Sequence, residues 1–252
     1  MTPFSLADKH IVVSGASSGI GQQCAISCAA MGAKVSLLGR NIERLKETLS
    51  AMKGDGHNIF AVDLTIEEDV KTIVEKIVTT SGSIDGLLNI AGISSTLLLR
   101  SVSEKKMDEF FKSNVYSAYT LTREVCKKRN FSPEGGSIVF FSSIMGSYGD
   151  VGKSLYAMTK GALQAASKSL ACELASKKIR VNTVSPGLIV TPINENLPHI
   201  ADPEKREKLE ELHLLGLGKT EDVANACIYL LSDASRWVTG INLFVDGGYT
   251  AK

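Results

Sequence analysis

No apolar run in this 252-residue chain has the length of a membrane span, and the first one, IVVSGA, is only as long as a strand. The opening MTPFSLADKH lacks the apolar stretch of a secretory leader, so a cytoplasmic protein is expected. The five cysteines, Cys24, Cys28, Cys126, Cys172 and Cys227, form no CxxC pair and accompany no histidine pattern. That spacing excludes the common zinc and redox motifs, so no metal is expected and the thiols read as reduced and mostly buried. Neither sign of charge dominates, since 28 Lys and Arg face 27 Asp and Glu for a net +1. Neither nucleic acid nor an anionic membrane is implied as a partner. Linkers, internal repeats and low-complexity tracts are missing too, which leaves no seam for a second domain.

What is present is a regular alternation. Hydrophobic residues at 44% and charged residues at 22% suit one filled α/β domain spanning 1–252. Apolar runs of strand length (HIVVSG, KVSLLG, NIFAVDL, GLLNIAG, SIVFFSS, IRVNTVSPG, INLFVDGG) are separated along most of the chain by helix-length amphipathic stretches. Strands apolar on both faces, joined through helices, predict a doubly wound, Rossmann-like parallel sheet of about seven strands with helices on both faces. The rhythm breaks from Thr191 to Gly218, where Pro, Asn and charged residues accumulate. This stretch reads as a surface excursion with short helices, placed where ligands bind, and is a candidate substrate lid at about 191–218.

The first strand runs into Ser14-Gly15-Ala16-Ser17-Ser18-Gly19-Ile20-Gly21. Gly15, Gly19 and Gly21 let the backbone turn sharply and approach a diphosphate, whose charge the N–H groups of the following helix attract. The spacing is GxxxGxG, unlike the GxGxxG of the commonest dinucleotide fingerprint. After the second strand, Leu38-Gly39-Arg40-Asn41 offers no acid for a ribose hydroxyl but does offer a guanidinium for a 2′-phosphate. NADP(H) is therefore preferred, with NAD(H) possible, although Ser17 and Ser18 supply no second cation. Asp63 and Leu64 close the third strand, where the carboxylate suits an adenine amino group; Thr65 is expected to cap the next helix. Asn89-Ile90-Ala91-Gly92 closes the fourth strand with small residues, as expected where a flat ring or ribose packs on backbone.

Tyr156 and Lys160 stand four apart in YAMTK, thirteen residues after Ser143. One helical turn brings the phenol and the ammonium onto a common face. Lowering a tyrosine from about 10 to about 7 takes about 4 kcal/mol, and one cation about 4 Å away at an effective dielectric of about 20 supplies about that much. Lys160 is therefore expected to depress the Tyr156 pKa.

Together these residues resemble the short-chain dehydrogenase/reductase family from Lys9 to Gly248. SGASSGIG is similar to the family's TGxxxGxG, NIAG to its NNAG, and Ser143 with YAMTK to its serine and YxxxK; SPGLIVTP and FVDGG also have counterparts. Two departures are Ser14 for Thr and Ile90 for the second Asn. The resemblance implies that Tyr156 exchanges a proton with the substrate oxygen and that Lys160 holds the nicotinamide ribose. It implies that Ser143, rather than Ser142, orients the oxygen, and that Asn114 holds a water linking Lys160 to solvent. Pro186 and Gly187 form the family's PG motif, while Ile189 and Thr191 contact the nicotinamide carboxamide. It further implies a homodimer or homotetramer through the helix carrying Ala157, Gly161, Ala162, Ala165 and Ala166.

The function expected is hydride transfer between NADP(H) and a small carbonyl or secondary alcohol of 3-oxoacyl, steroid or sugar type, in the reductive direction. The alternative is a catalytically silent nucleotide-binding protein on the same fold; epimerases and dehydratases of this scaffold are usually longer. Leu97 to Leu99, Met145, Tyr148 and Val151 are expected to line the pocket. His199 and His213 are expected to be ordinary exposed residues, and Arg100, Lys105 and Lys106 are candidates to meet an acidic carrier protein, although such residues are more often a solvated face.

Overall fold

In the computed structural model, which describes residues 2–191 and 198–251, seven strands form one parallel sheet in the order β3-β2-β1-β4-β5-β6-β7. They are β1 (His10–Ser14), β2 (Lys34–Gly39), β3 (Asn58–Ala61), β4 (Gly86–Asn89), β5 (Gly136–Phe141), β6 (Ile179–Pro186) and β7 (Asn242–Val245). The helices of the first half are α1 (Gly19–Ala30), α2 (Ile42–Ser50), α3 (Glu67–Ser81), α4 (Glu104–Phe111) and α5 (Ser117–Val125). Those of the second half are α6 (Ser154–Leu174), α7 (Pro198–Ala201), α8 (Pro203–Glu211) and α9 (Thr220–Leu231).

Side chains alternate across each strand, so a strand covered on both faces must be apolar at successive positions. Val13 and Leu37 enter one core beneath α1 and α9, with Cys24, Cys28 and Cys227. Val12 and Leu38 enter the other, beneath α3, α5 and α6, with Val74, Leu121 and Leu163. All five cysteines are free thiols; three are buried and Cys172 is exposed. Among the described residues, no helix is long and apolar enough to cross a membrane.

The helix starts follow local chemistry. Asn41 accepts from Arg44 N at 3.0 Å to cap α2, and Asp202 accepts from Glu204 N at 3.1 Å to cap α8, with Pro203 at its first position. The helical stretch through Asn114 is interrupted, because a π turn over Lys112–Tyr116 separates α4 from α5. Helix α9, which packs on α1, stands out less in the sequence because it follows directly on the irregular excursion. That excursion carries the two short helices α7 and α8, and a parallel bridge between Ile189 and Gly218 closes its base. Residues 192–197 of the candidate lid lie outside the described residues.

Candidate active site

The strand order reverses between β1 and β4, so their following loops leave toward opposite faces and open a crevice at the carboxyl ends. The two strand ends are tied together by Ser14, whose Oγ accepts from Ile90 N at 2.9 Å and Ala91 N at 3.1 Å. The same hydroxyl donates to Leu88 O at 3.2 Å. A serine at this position thus makes the bonds that fix the floor of the crevice. Gly15 sits at φ +71°, and a Cβ there would stand 3.0 Å from Ala91 N. At Gly21 the helix start lies so close to the turn that a Cβ would meet Gly15 O at 2.1 Å.

Ser18 is the N-cap of α1, yet its side chain makes no capping bond and no acid occupies the first turn. The positive end of the helix is therefore uncompensated where the crevice opens. Ile20 packs against the core, while Ser17 stands over Gly39, whose Cβ would lie 3.4 Å from Ser17 Oγ. Thr191 arches over the same loop from the β6 side, its Cγ2 3.5 Å from where a Gly19 Cβ would stand. Glycine at 15, 19 and 21, an open helix end and Thr191 above them form a cradle into which a dinucleotide diphosphate fits.

Arg40 is exposed at the end of β2. Asp63 Oδ1 accepts from Thr65 N at 3.0 Å and Thr65 Oγ1 at 2.8 Å. The Thr65 backbone bond is the main cause holding this carboxyl below its usual range, and the charge of Arg40 adds to it. Thr65 is therefore not the cap of α3; Ile66 holds that position and Thr65 turns back to Asp63. The Leu64 side chain lies in the core. Asn89 is buried and donates to Thr122 Oγ1 at 2.9 Å, whereas Ala91 and Gly92 form the open rim.

Beyond β6, Pro186 ends the strand and Gly187 N donates to Val245 O at 3.0 Å. Ile189 is buried. His213 is a correction: expected exposed, it is 4% exposed, accepts from Leu188 N at 3.2 Å and bonds Leu209 O through Nδ1 at 2.7 Å. With one ring nitrogen accepting and the other donating, the imidazole pins the end of the excursion against the strand end. The His199 side chain falls outside the described residues.

The four proposed catalytic side chains converge on the β4, β5 and α6 side of the crevice. Asn114, fully buried in the π turn, accepts from Ile93 N at 2.7 Å and donates to Ile93 O at 3.0 Å and Thr159 Oγ1 at 3.0 Å. Such a turn shifts the side chains that follow it, and here it brings the amide to the loop after β4. A Cβ at Gly92 would lie 2.8 Å from Asn114 Oδ1 and 3.6 Å from Lys160 Nζ, so these three groups share one volume. Thr159, not singled out in the sequence, completes the link by donating to Tyr156 O at 2.8 Å. Its only earlier signal was its place inside YAMTK.

The two serines separate cleanly. Ser142 is buried and donates to Lys160 O at 2.9 Å while accepting from Gln164 Nε2 at 2.8 Å, so it is spent on packing α6. Ser143, half-buried, accepts from Met145 N at 3.2 Å and interacts with the Tyr156 hydroxyl.

The Tyr156 pKa moves opposite to expectation. Burial pushes the phenol up from its ordinary value, and only the Ser143 hydroxyl pulls it down. The Lys160 ammonium lies over the tyrosine ring, 5.6 Å from its centroid, and donates to Phe141 O at 2.8 Å. Its own burial pulls the ammonium down to about 8. Among the expected pocket residues, Met145 is buried, Leu98, Leu99 and Val151 are exposed, and Tyr148 OH donates to Thr250 O at 3.0 Å. Lys106 pairs with Glu109 at 2.7 Å, as a solvated face would. Among the described residues, no cluster of three or more His, Cys, Asp or Glu is placed to hold a metal.

Known proteins are similar to this chain over nearly its whole length. The family described as enoyl-(acyl carrier protein) reductase matches residues 15–250. The chain is 35% identical over 250 residues to a 3-oxoacyl-(acyl-carrier-protein) reductase of Thermotoga maritima, covering 96% of this chain and 98% of that protein. A 3-oxoacyl-(acyl-carrier-protein) reductase of Mus musculus is 37% identical over 245 residues, with 96% and 98% covered. Among solved structures, a candidate 2-deoxy-D-gluconate 3-dehydrogenase of Agrobacterium tumefaciens with bound NADP superposes with a TM-score of 0.89 at 30% identity, covering 100% of both chains.

Proposed function

The chain belongs to the short-chain dehydrogenase/reductase family of oxidoreductases, and on that premise we propose that it reduces a small carbonyl compound to a secondary alcohol with NADP(H). The observation that carries this reading is the convergence of Ser143, Tyr156, Lys160 and Asn114 beside a glycine cradle. When bound in the glycine cradle, NADPH would supply the hydride for the carbonyl carbon. Ser143 donates a hydrogen bond to the carbonyl oxygen and fixes its direction. Tyr156 delivers the proton to that oxygen as charge develops on it. Burial raises the phenol above its ordinary value, and the Ser143 hydroxyl opposes that shift. Lys160 holds the nicotinamide ribose, and Asn114 holds the water through which the proton is replenished. Arg40 grips the 2′-phosphate, Asp63 takes the adenine amino group, and Ile189 and Thr191 orient the carboxamide.

The described part of the excursion, from α8 to Gly218, serves as the candidate substrate lid. The chain works as a homodimer or homotetramer, a reading supported by Tyr116, Tyr119 and Met158, large side chains exposed on the π turn, α5 and α6. The test is a panel of ketones assayed with NADPH and NADH at the nicotinamide absorbance. Turnover with NADPH in preference to NADH is expected. Tight nucleotide binding without turnover of any ketone would instead identify the silent binding protein.

A further inference from the structure

Helix α6 carries Tyr156, Lys160 and Gln164 at intervals of four, so phenol, ammonium and amide follow one another along one face. The first two serve the proposed chemistry directly. The Gln164 amide reaches the loop after β5, where Ser143 leads into a short turn over Ile144–Gly146. Its Oε1 accepts from Ser147 Oγ at 2.9 Å, and its Nε2 donates to Ser142 Oγ at 2.8 Å. Ser142 and Ser147 stand on either side of that turn, so one side chain grips both of its ends.

The neighbours fix which way the amide points. Ser142 Oγ gives its one proton to Lys160 O at 2.9 Å. Ser185 Oγ donates to Asn242 Oδ1 at 2.7 Å while accepting from Gln164 Nε2 at 3.4 Å. Both hydroxyls therefore need a donor from this side, and only the nitrogen end of the amide supplies one. The turn and the helix also lie flush. A Cβ at Gly146 would stand 2.6 Å from Gln164 Nε2 and 3.0 Å from the Lys160 carbonyl carbon, and one at Gly161 would stand 3.3 Å from Gly146 O. Contact between glycines lets the turn approach α6 but does not set its place along the helix; the directional bonds of the amide do.

That place matters because Ser143 comes from the turn and Tyr156 from the helix, and in the proposed reaction both hydroxyls must reach one carbonyl oxygen. We infer that Gln164 is a positioning residue for the reaction, which sets Ser143 against Tyr156 by clamping the Ser143 turn to α6. The inference rests on the oxidoreductase reading above and deepens it, since the paired grip on the carbonyl then depends on an amide two helical turns beyond the phenol.

The test takes a ketone that the unaltered protein reduces with NADPH and introduces Gln164→Met both into that protein and into Ser143→Ala. In the unaltered background kcat is expected to fall about tenfold, with the NADPH dissociation constant unchanged within about twofold because the glycine cradle keeps its contacts. In the Ser143→Ala background the same change is expected to lower kcat no further, because no serine hydroxyl is left to position. A general loosening of the fold would lower kcat equally in both. The same comparison made with Ser147→Ala, which gives up only the bond at the exposed end of the turn, is expected to show about a threefold loss that also vanishes without Ser143. A Gln164→Met protein with the original kcat, or losses that are equal with and without Ser143, overturns the inference and leaves the oxidoreductase reading intact. If the unaltered protein reduces no ketone, that reading fails and the inference falls with it.

Discussion

Replacing Lys160 by Met removes a charge that the fold holds at a cost. The ammonium is 5% exposed and has no carboxylate partner in the described structure, and burial lowers it from the ordinary 10.5 to about 8. The folded protein therefore binds this proton less tightly than the unfolded chain does. Folding is penalised while the pH stays below about 8, and the penalty fades as the pH rises toward 10.5. At 1.36 kcal/mol per pH unit, the penalty is about 3 kcal/mol at pH 7 and under about 1 kcal/mol at pH 10. Lys160→Met also loses the bond to Phe141 O and some packing, but those losses do not vary with pH. The assay is urea unfolding of both proteins between pH 7 and pH 10, and the readout is the change in their stability difference. The unaltered protein should gain about 2.5 kcal/mol relative to the variant over that range. A difference that stays constant, or moves the other way, would refute the claim that this ammonium is desolvated and uncompensated.

Three further substitutions separate neighbouring roles. Arg40→Ala should raise the Michaelis constant for NADPH about tenfold or more and leave that for NADH nearly unchanged, as expected for loss of a charge-assisted phosphate contact; equal effects on both cofactors would remove Arg40 from phosphate recognition. Ser143→Ala should lower kcat about a hundredfold with little change in melting temperature, whereas Ser142→Ala should cost about 1–3 kcal/mol of stability through its broken bonds to Lys160 O and Gln164. The reverse pattern in steady-state kinetics and unfolding curves would exchange the two serines.

The sheet was readable because seven apolar runs are each bounded by turn residues, and burial on both faces leaves few other ways to arrange them. The glycine cradle was readable too, since Gly15 and Gly21 stand where a Cβ would collide with backbone. Side-chain direction within an element was less accessible. The spacing of Tyr156 and Lys160 gave their proximity, but not that Nζ would donate to Phe141 O while lying over the ring. The tyrosine shift runs upward because burial of the phenol outweighs the Ser143 hydrogen bond. The π turn at Asn114 left no mark in residue pattern, because one extra residue in a helical turn hardly alters hydrophobic spacing. His213 was misread because histidine is usually a surface residue, although Leu212, Leu214 and Leu215 flank it; its burial comes from the strand end and from Tyr249, whose ring centroid is 5.0 Å away.

The most direct measurement is turnover by Tyr156→Phe beside its affinity for NADPH. Removing one hydroxyl from a buried ring leaves the cradle at Gly15, Gly19 and Gly21 untouched, so the nucleotide dissociation constant should stay within about threefold, while kcat falls about a hundred- to ten-thousandfold. A variant that binds NADPH normally and still reduces its ketone at the original rate would contradict the assignment of the proton to Tyr156.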